Sequence, residues 1–163
     1  MKSDHKLEKK ILTPNQALKI CSALRKQNKK IIFTNGCFDI LHSGHVQYLQ
    51  KAKEKGDFLI VALDIDYSVR KLKGKGRPVN PLRSRQLVMA ALESVDAVTY
   101  FENSNPLPII QKLKPHILVK GGDWKIKDII GSKEVLGWSG KVFSISYIKG
   151  KSTTNIIRKI RSL

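Results

Sequence analysis

Acidic residues are scarce in this chain: 13 Asp and Glu stand against 31 Lys and Arg, a formal net charge of +18 over 163 residues. A balance that basic admits three kinds of anionic partner: nucleic acid, a membrane surface or a small phosphorylated molecule. Arginine and aromatics are scarce as well. The 24 lysines outnumber seven arginines and run the whole length of the chain, and aromatics make up 7%, whereas a dedicated nucleic-acid binder clusters base-reading arginines and stacking rings. The composition therefore favours lysine-rich solvated faces, a subset of which can line a phosphate site, and neither a nucleic-acid nor a membrane partner is expected. The two cysteines, Cys21 and Cys37, lack metal-like spacing; this argues against a disulfide framework and a zinc site and leaves two reduced thiols. Nor is there a long apolar run. No stretch approaches the roughly 20 apolar residues of a membrane span, and the N-terminal "MKSDHKLEKK" is charged where a signal peptide is apolar. A cytoplasmic protein is expected, with one domain over 13–163 and a charged, loosely held arm over 1–12.

Five short apolar runs are present: "KIIFT" 30–34, "FLIVAL" 58–63, "AVTYF" 97–101, "HILVK" 116–120 and "KVFSI" 141–145. They are continuous rather than alternating, the pattern of strands buried on both faces of a parallel sheet. Helical signals separate them. Thr13-Pro14-Asn15-Gln16 reads as a capping box opening a helix to about Asn28, and Ser43 as the cap of a second that stops at Gly56. A third helix starts at Asn80-Pro81, a shorter one covers 106–113, and Ser152 or Thr153 opens the last, with Ile156, Ile157 and Ile160 on its inner face. The alternation predicts an α/β fold, a single-domain Rossmann-like doubly wound parallel five-stranded sheet with helices on both faces. Ligands of such sheets bind at the carboxyl ends of the strands. The informative segments are then 34–45, 64–80, 120–125 and 146–154.

The first of these holds two of the four histidines, in "TNGCFDILHSGH", Thr34 to His45. His42 falls in the loop after the first strand and His45 in the first turn of the next helix, where unpaired amides and the helix dipole favour an anion. Gly44 has no side chain to block a phosphate oxygen, and two imidazoles can donate to oxygens that gain charge in a transition state. The competing structural reading has one histidine capping the loop and the other packed in the core. A metal is the weaker option, since Asp39 completes only a partial ligand set. In "KGKSTTNII", 149–157, the P-loop pattern fails, because its first glycine would fall on Ile145. Ser152, Thr153 and Thr154 nevertheless offer hydroxyls and amides at a helix N-terminus, more than plain N-capping needs. "KGGDW", 120–124, is either a simple turn or a close backbone approach in which Asp123 orients a sugar hydroxyl or holds magnesium. "RKLKGKGRPVNP", 70–81, reads equally as a solvated loop or as a flexible cationic segment that closes over a triphosphate.

On these residues the chain resembles the HxGH nucleotidyltransferases of the cytidylyltransferase-like group. His42-Ser43-Gly44-His45 matches the HxGH motif, and Ser152-Thr153-Thr154-Asn155-Ile156-Ile157 the second signature. Within the group it is most similar to the adenylyltransferases of D-glycero-β-D-manno-heptose 1-phosphate, from about residue 10 onward, through "FTNGCFDILHSGH", "GRPVNP" followed by Arg85, "VKGGDW", "GSKEV" and "STTNII". The resemblance implies transfer of AMP from ATP, with Mg2+, to the heptose 1-phosphate, giving ADP-heptose and pyrophosphate for bacterial surface glycans such as the lipopolysaccharide core. It implies that His42 and His45 contact the nucleotide phosphates as catalytic residues, and that Thr34, Asn35, Gly36, Cys37, Phe38 and Gly44 form the nucleotide-facing loop, which Asp39 helps to hold. It places Gly121, Asp123 and Trp124 on the nucleotide side and Ser152 to Thr154 on phosphate. Lys71, Lys73 and Lys120 are implied at the triphosphate or sugar phosphate, and Arg85 as a phosphate or site-ordering residue. The chain is expected to act as a homo-oligomer, a dimer, with a separate sugar kinase supplying its substrate. Tyr147 replaces the arginine of the related glycerol-3-phosphate cytidylyltransferases, and Lys151 stands where the heptose enzymes often carry a small or apolar residue. The alternatives are a relative using CTP, glycerol 3-phosphate or another phosphorylated acceptor, and, outside enzymes, a basic nucleic-acid-binding module.

Overall fold

A computed structural model describes residues 4–102, 104–146 and 151–163. Its strands are β1 (Ile31–Gly36), β2 (Phe58–Asp64), β3 (Ala97–Phe101), β4 (Ile117–Gly121) and β5 (Lys141–Ile145), within about two residues of the apolar runs. Its helices are α1 (Asp4–Glu8), α2 (Pro14–Lys26), α3 (Ser43–Lys53), α4 (Asp66–Lys73), α5 (Leu82–Ala90), α6 (Leu107–Leu113), α7 (Ser132–Gly137) and α8 (Thr153–Arg161). All strand pairs are parallel and the order is β3-β2-β1-β4-β5. The order reverses between β1 and β4, so a crevice opens at their carboxyl ends.

Alternation along each strand splits the apolar residues between two cores. Ile31, Phe33, Ile60, Ala62 and Leu118 pack with Ala17 and Cys21 of α2 and Ile109, Ile110 and Leu113 of α6. Ile32, Leu59, Val61, Leu63 and Val119 face Leu49 and Ala52 of α3 and Met89 and Ala90 of α5. Both sheet faces are therefore dry, which is why the runs are continuous. Truncating a fully buried residue such as Leu49 to alanine would cost about 2–5 kcal/mol. No described helix is long and apolar enough to cross a membrane.

The capping box at α2 forms as expected: Gln16 N–H donates to Thr13 Oγ1, and Thr13 N–H to Gln16 Oε1 at 2.8 Å. Other expectations need correction. Ser43 is the first residue of α3, not its cap; His42 holds the N-cap position without a side-chain cap bond. The segment read as a loop from 70 begins inside α4, which ends at Gly74 with φ 87°. That helix escaped the periodicity because it buries only Ser68 and Val69; its charges, Asp66 in the first turn and Arg70, Lys71 and Lys73 in the last, complement the helix dipole. The inner face of α8 is only partly covered, with Ile156 and Ile157 half-buried and Ile160 61% exposed. The N-terminal arm is not loose at its end. Ile11 bridges to Val98, Leu12 N–H donates to Val98 O at 2.8 Å, and Lys10 Nζ donates to Val95 O at 2.7 Å.

Candidate active site

The crevice is built on the loop that leaves β1. Asp39 is 4% exposed and accepts from the amides of Val79 (2.9 Å) and Asn80 (2.8 Å) and from Arg77 Nε (2.5 Å). Burial pushes its carboxyl up, but the two amides and the guanidinium outweigh this and hold it below its ordinary value. Arg85, 2% exposed, donates to the carbonyls of Asn80 (3.0 Å), Cys37 (2.7 Å) and Asp64 (2.8 Å) and to Asp66 Oδ1 (2.7 Å). Its fork joins the ends of β1 and β2 to the start of α5. Asp39 was expected to hold the loop and Arg85 to act as a phosphate or site-ordering residue; both are committed to protein groups and order the loop.

Thr34 is corrected in the same way. It is fully buried, its Oγ1 2.6 Å from the Tyr48 hydroxyl, which in turn donates to Val119 O at 3.2 Å. The contact locks α3 to β1 and β4, so the Thr34 side chain supports the crevice and does not line it. Tyr48 was missed, since it reads simply as an apolar-face residue of α3.

On this frame His42 and His45 are brought together. Their rings stack with centroids 3.8 Å apart, and the Nδ1 of each is buried without a hydrogen-bond partner among the described residues. Phe38, at φ 44°, sets its ring edge-on to His45 at 5.2 Å. Gly36 accommodates that ring, because a Cβ there would lie 3.0 Å from Phe38 Cε2. A Cβ on Gly44 would lie 3.0 Å from His42 Nδ1 and 3.1 Å from Lys151 Cβ. Gly44 is thus required first by the packing of its own neighbours. Burial, followed by the charge of His42, pushes His45 down to about 4; burial and then Lys151 lower His42. Both rings are neutral near pH 7. His42 O accepts from His45 N–H (2.9 Å) and Val46 N–H (3.3 Å), while its side chain caps neither Ser43 nor Gly44, the first two amides of α3.

The N-terminus of α8 reaches the same place. Thr153 Oγ1 donates to Ile40 O at 3.1 Å, tethering α8 to the β1–α3 loop. Ser152 is the N-cap, its Oγ accepting from Asn155 N–H at 3.1 Å. Capping and tethering use two of the three hydroxyls; among the described residues the Thr154 hydroxyl has no hydrogen-bond partner, and Thr154 is exposed. The rest of "KGKSTTNII", 149–150, and Tyr147 lie outside the described residues.

A second cluster sits at the ends of β1, β2 and β4. Cys37 Sγ is 3.6 Å from Asp64 Oδ2, and burial, then Asp64, push its thiol up to about 11. Asp64 is 4% exposed and raised by burial. Lys120 is lowered by burial and feels both Asp64 and Lys73. The charge of Lys73, in the last turn of α4, is felt at both Cys37 and Lys120. Asp64 was missed because it closes an apolar run that reads as strand alone. After β4, Gly122 at φ 118° turns the chain. Trp124 Nε1 donates to Gly121 O (3.1 Å) and its amide to Ser144 Oγ (3.0 Å), leaving the indole 49% exposed beside the exposed Asp123. Among the described residues no three His, Cys, Asp or Glu side chains cluster into a metal cage.

A parallel sheet reversing at β1 and β4, with two helix N-termini and paired imidazoles at that point, defines an α/β protein built to hold phosphates. The chain belongs to the cytidylyltransferase-like family, whose model matches residues 33–159. It is 52% identical over 143 residues to the bifunctional protein HldE of a Nitratiruptor species, covering 88% of this chain and 30% of that protein. Identity to the bifunctional protein HldE of Shigella sonnei is 48% over 151 residues, 93% of this chain and 32% of that one. The chain thus spans about a third of the length of these curated relatives. Among solved structures it resembles the lipopolysaccharide core biosynthesis protein of Thermoplasma volcanium, at TM-score 0.62 and 25% identity over 76% of this chain and 99% of that one. It also shares its fold with the pantoate-beta-alanine ligase of Francisella tularensis, at TM-score 0.58 and 18% identity over 94% of this chain and 78% of that one.

Proposed function

We propose that the chain transfers AMP from ATP to D-glycero-β-D-manno-heptose 1-phosphate, releasing pyrophosphate and forming ADP-heptose for a bacterial surface glycan. The observation that carries the reading is the convergence of α3 and α8 on the stacked pair His42 and His45, through the Thr153 tether and the Lys151 contact at Gly44. The names of the bifunctional relatives and of the Thermoplasma protein support the substrate class.

In this reading an oxygen of the sugar phosphate attacks the α-phosphorus in line; the new P–O bond forms as the bond to the β-phosphate oxygen breaks, and pyrophosphate leaves with the electron pair. Little covalent chemistry falls to the protein, so catalysis is positioning and charge stabilisation. His42, His45, the first-turn amides of α3 and Thr154 hold the nucleotide phosphates. Lys73 and Lys120, beside Asp64 and Cys37, take the sugar phosphate. Asn35, Gly36 and Phe38 shape the floor, and Asp123 and Trp124 line the nucleoside side. Magnesium, carried on the phosphates, would neutralise charge on the leaving group. A sugar kinase must supply the acceptor. We take the acting form to be a homodimer, to which the exposed Ile160 and Leu136 would offer apolar surface.

The test is magnesium-dependent pyrophosphate release with ATP or CTP, offered heptose 1-phosphate or glycerol 3-phosphate. Release with ATP and heptose 1-phosphate alone is expected. Release with another pair would keep the chemistry and overturn the substrate, and steeply salt-dependent RNA or DNA binding in place of release would favour the nucleic-acid module.

A further inference from the structure

We propose that Lys151 is a leaving-group residue of this site, a cation placed between the N-termini of α3 and α8 to hold the pyrophosphate released from the nucleotide. The inference rests on the nucleotidyltransferase reading above.

Lys151 directly precedes Ser152, the N-cap of α8. Its Cβ and the His42 ring both stand about a methyl group's reach from Gly44, in the first turn of α3. The stem of Lys151 is thereby fixed over the point at which the two helix N-termini meet, and its charge is felt at His42. Lys151 is exposed and makes no ion pair or hydrogen bond among the described residues, so the ammonium is available to a ligand.

Among the described residues, the other anion-binding groups here carry no full charge: two neutral imidazoles, a free hydroxyl and the partial charges of helix amides. The remaining cations of the crevice, Lys73 and Lys120, gather at Cys37 and Asp64 instead. Among the described residues the site therefore has two cationic ends, one at the acceptor and one at the α3 and α8 N-termini. When the bond between the α- and β-phosphates opens, negative charge builds on the departing pyrophosphate. A cation at that end gains attraction as the reaction advances, so it stabilises the transition state more than bound ATP.

Wild type, Lys151→Met and Lys151→Arg would be titrated with pyrophosphate by calorimetry at low and raised ionic strength, alongside the KM for heptose 1-phosphate. Because the side chain is exposed, all three should melt alike. Loss of one charge-assisted contact should weaken pyrophosphate binding about tenfold in Lys151→Met. Arginine should restore most of the affinity, the difference should shrink with salt, and the KM of the sugar phosphate should stay unchanged. Equal pyrophosphate affinity in wild type and Lys151→Met would overturn the assignment, as would a loss confined to the sugar-phosphate KM. Wild-type protein that bound neither pyrophosphate nor ATP would instead defeat the nucleotidyltransferase reading itself.

Discussion

His42 and His45 lie ring on ring, 3.8 Å between centroids and 22° from parallel. Two imidazolium ions cannot share that spacing out of water, so the pair acts as neutral donors and acceptors, not as two cations. Alanine at either position should lower turnover by orders of magnitude, since a lost transition-state contact costs about 2.7–4 kcal/mol. Steady-state kinetics with a thermal melt for each variant checks this. Near-normal turnover in both would remove the histidines from the chemistry.

Burial of His45 also makes stability depend on pH. Its proton leaves at about 4 in the folded chain, against 6.5 when free. Between those values the unfolded chain binds more protons, so the stabilisation due to neutral His45 is complete above about 6.5 and is lost as pH falls toward 4. Denaturant titrations of wild type and His45→Gln across pH 4–7 should show a shallower slope in the variant. Parallel slopes would mean that His45 titrates normally.

Gly44→Ala should act through His42. The added methyl meets His42 Nδ1 at 3.0 Å and Lys151 Cβ at 3.1 Å, so the ring must shift while the helix persists. Misplacement on that scale costs roughly 10–100-fold in rate. A melt close to wild type together with the lost rate is the expected signature; a collapsed melt would make Gly44 a folding residue only.

Arg85→Met should destabilise the fold more than it alters chemistry. It strips donors from the carbonyls of Asn80, Cys37 and Asp64, and a buried acceptor left alone costs about 1–3 kcal/mol. The melting temperature should fall by roughly 5 °C or more. Lysine should rescue only in part, because it lacks the planar fork. Unchanged melting with a raised KM would return Arg85 to the list of phosphate ligands.

Much of this molecule is legible along the chain. The β runs stand out because both faces of a parallel sheet are apolar, and the α2 start because a capping box is a four-residue pattern. What escaped depends on partners distant in sequence. Arg85 reads equally as a phosphate ligand or a site-ordering residue until its hydrogen bonds to Asn80 and to the ends of β1 and β2 appear. Thr34 looks exposed in a loop motif until Tyr48, fourteen residues on, reaches its hydroxyl. The helix α4 hides because almost nothing in it is buried.

Spacing along the chain was enough to define the α/β alternation and to put "HSGH" after the first strand and "STTNII" at the last helix, because these rest on local pattern and local backbone chemistry. Which polar residues face the crevice and which hold it open was settled by folding alone. Hydrogen-bond saturation makes that choice: Arg85 and Asp39 are committed to protein groups, whereas the start of α3 brings His42 and His45, and the start of α8 brings Lys151, to one point with bonding capacity to spare.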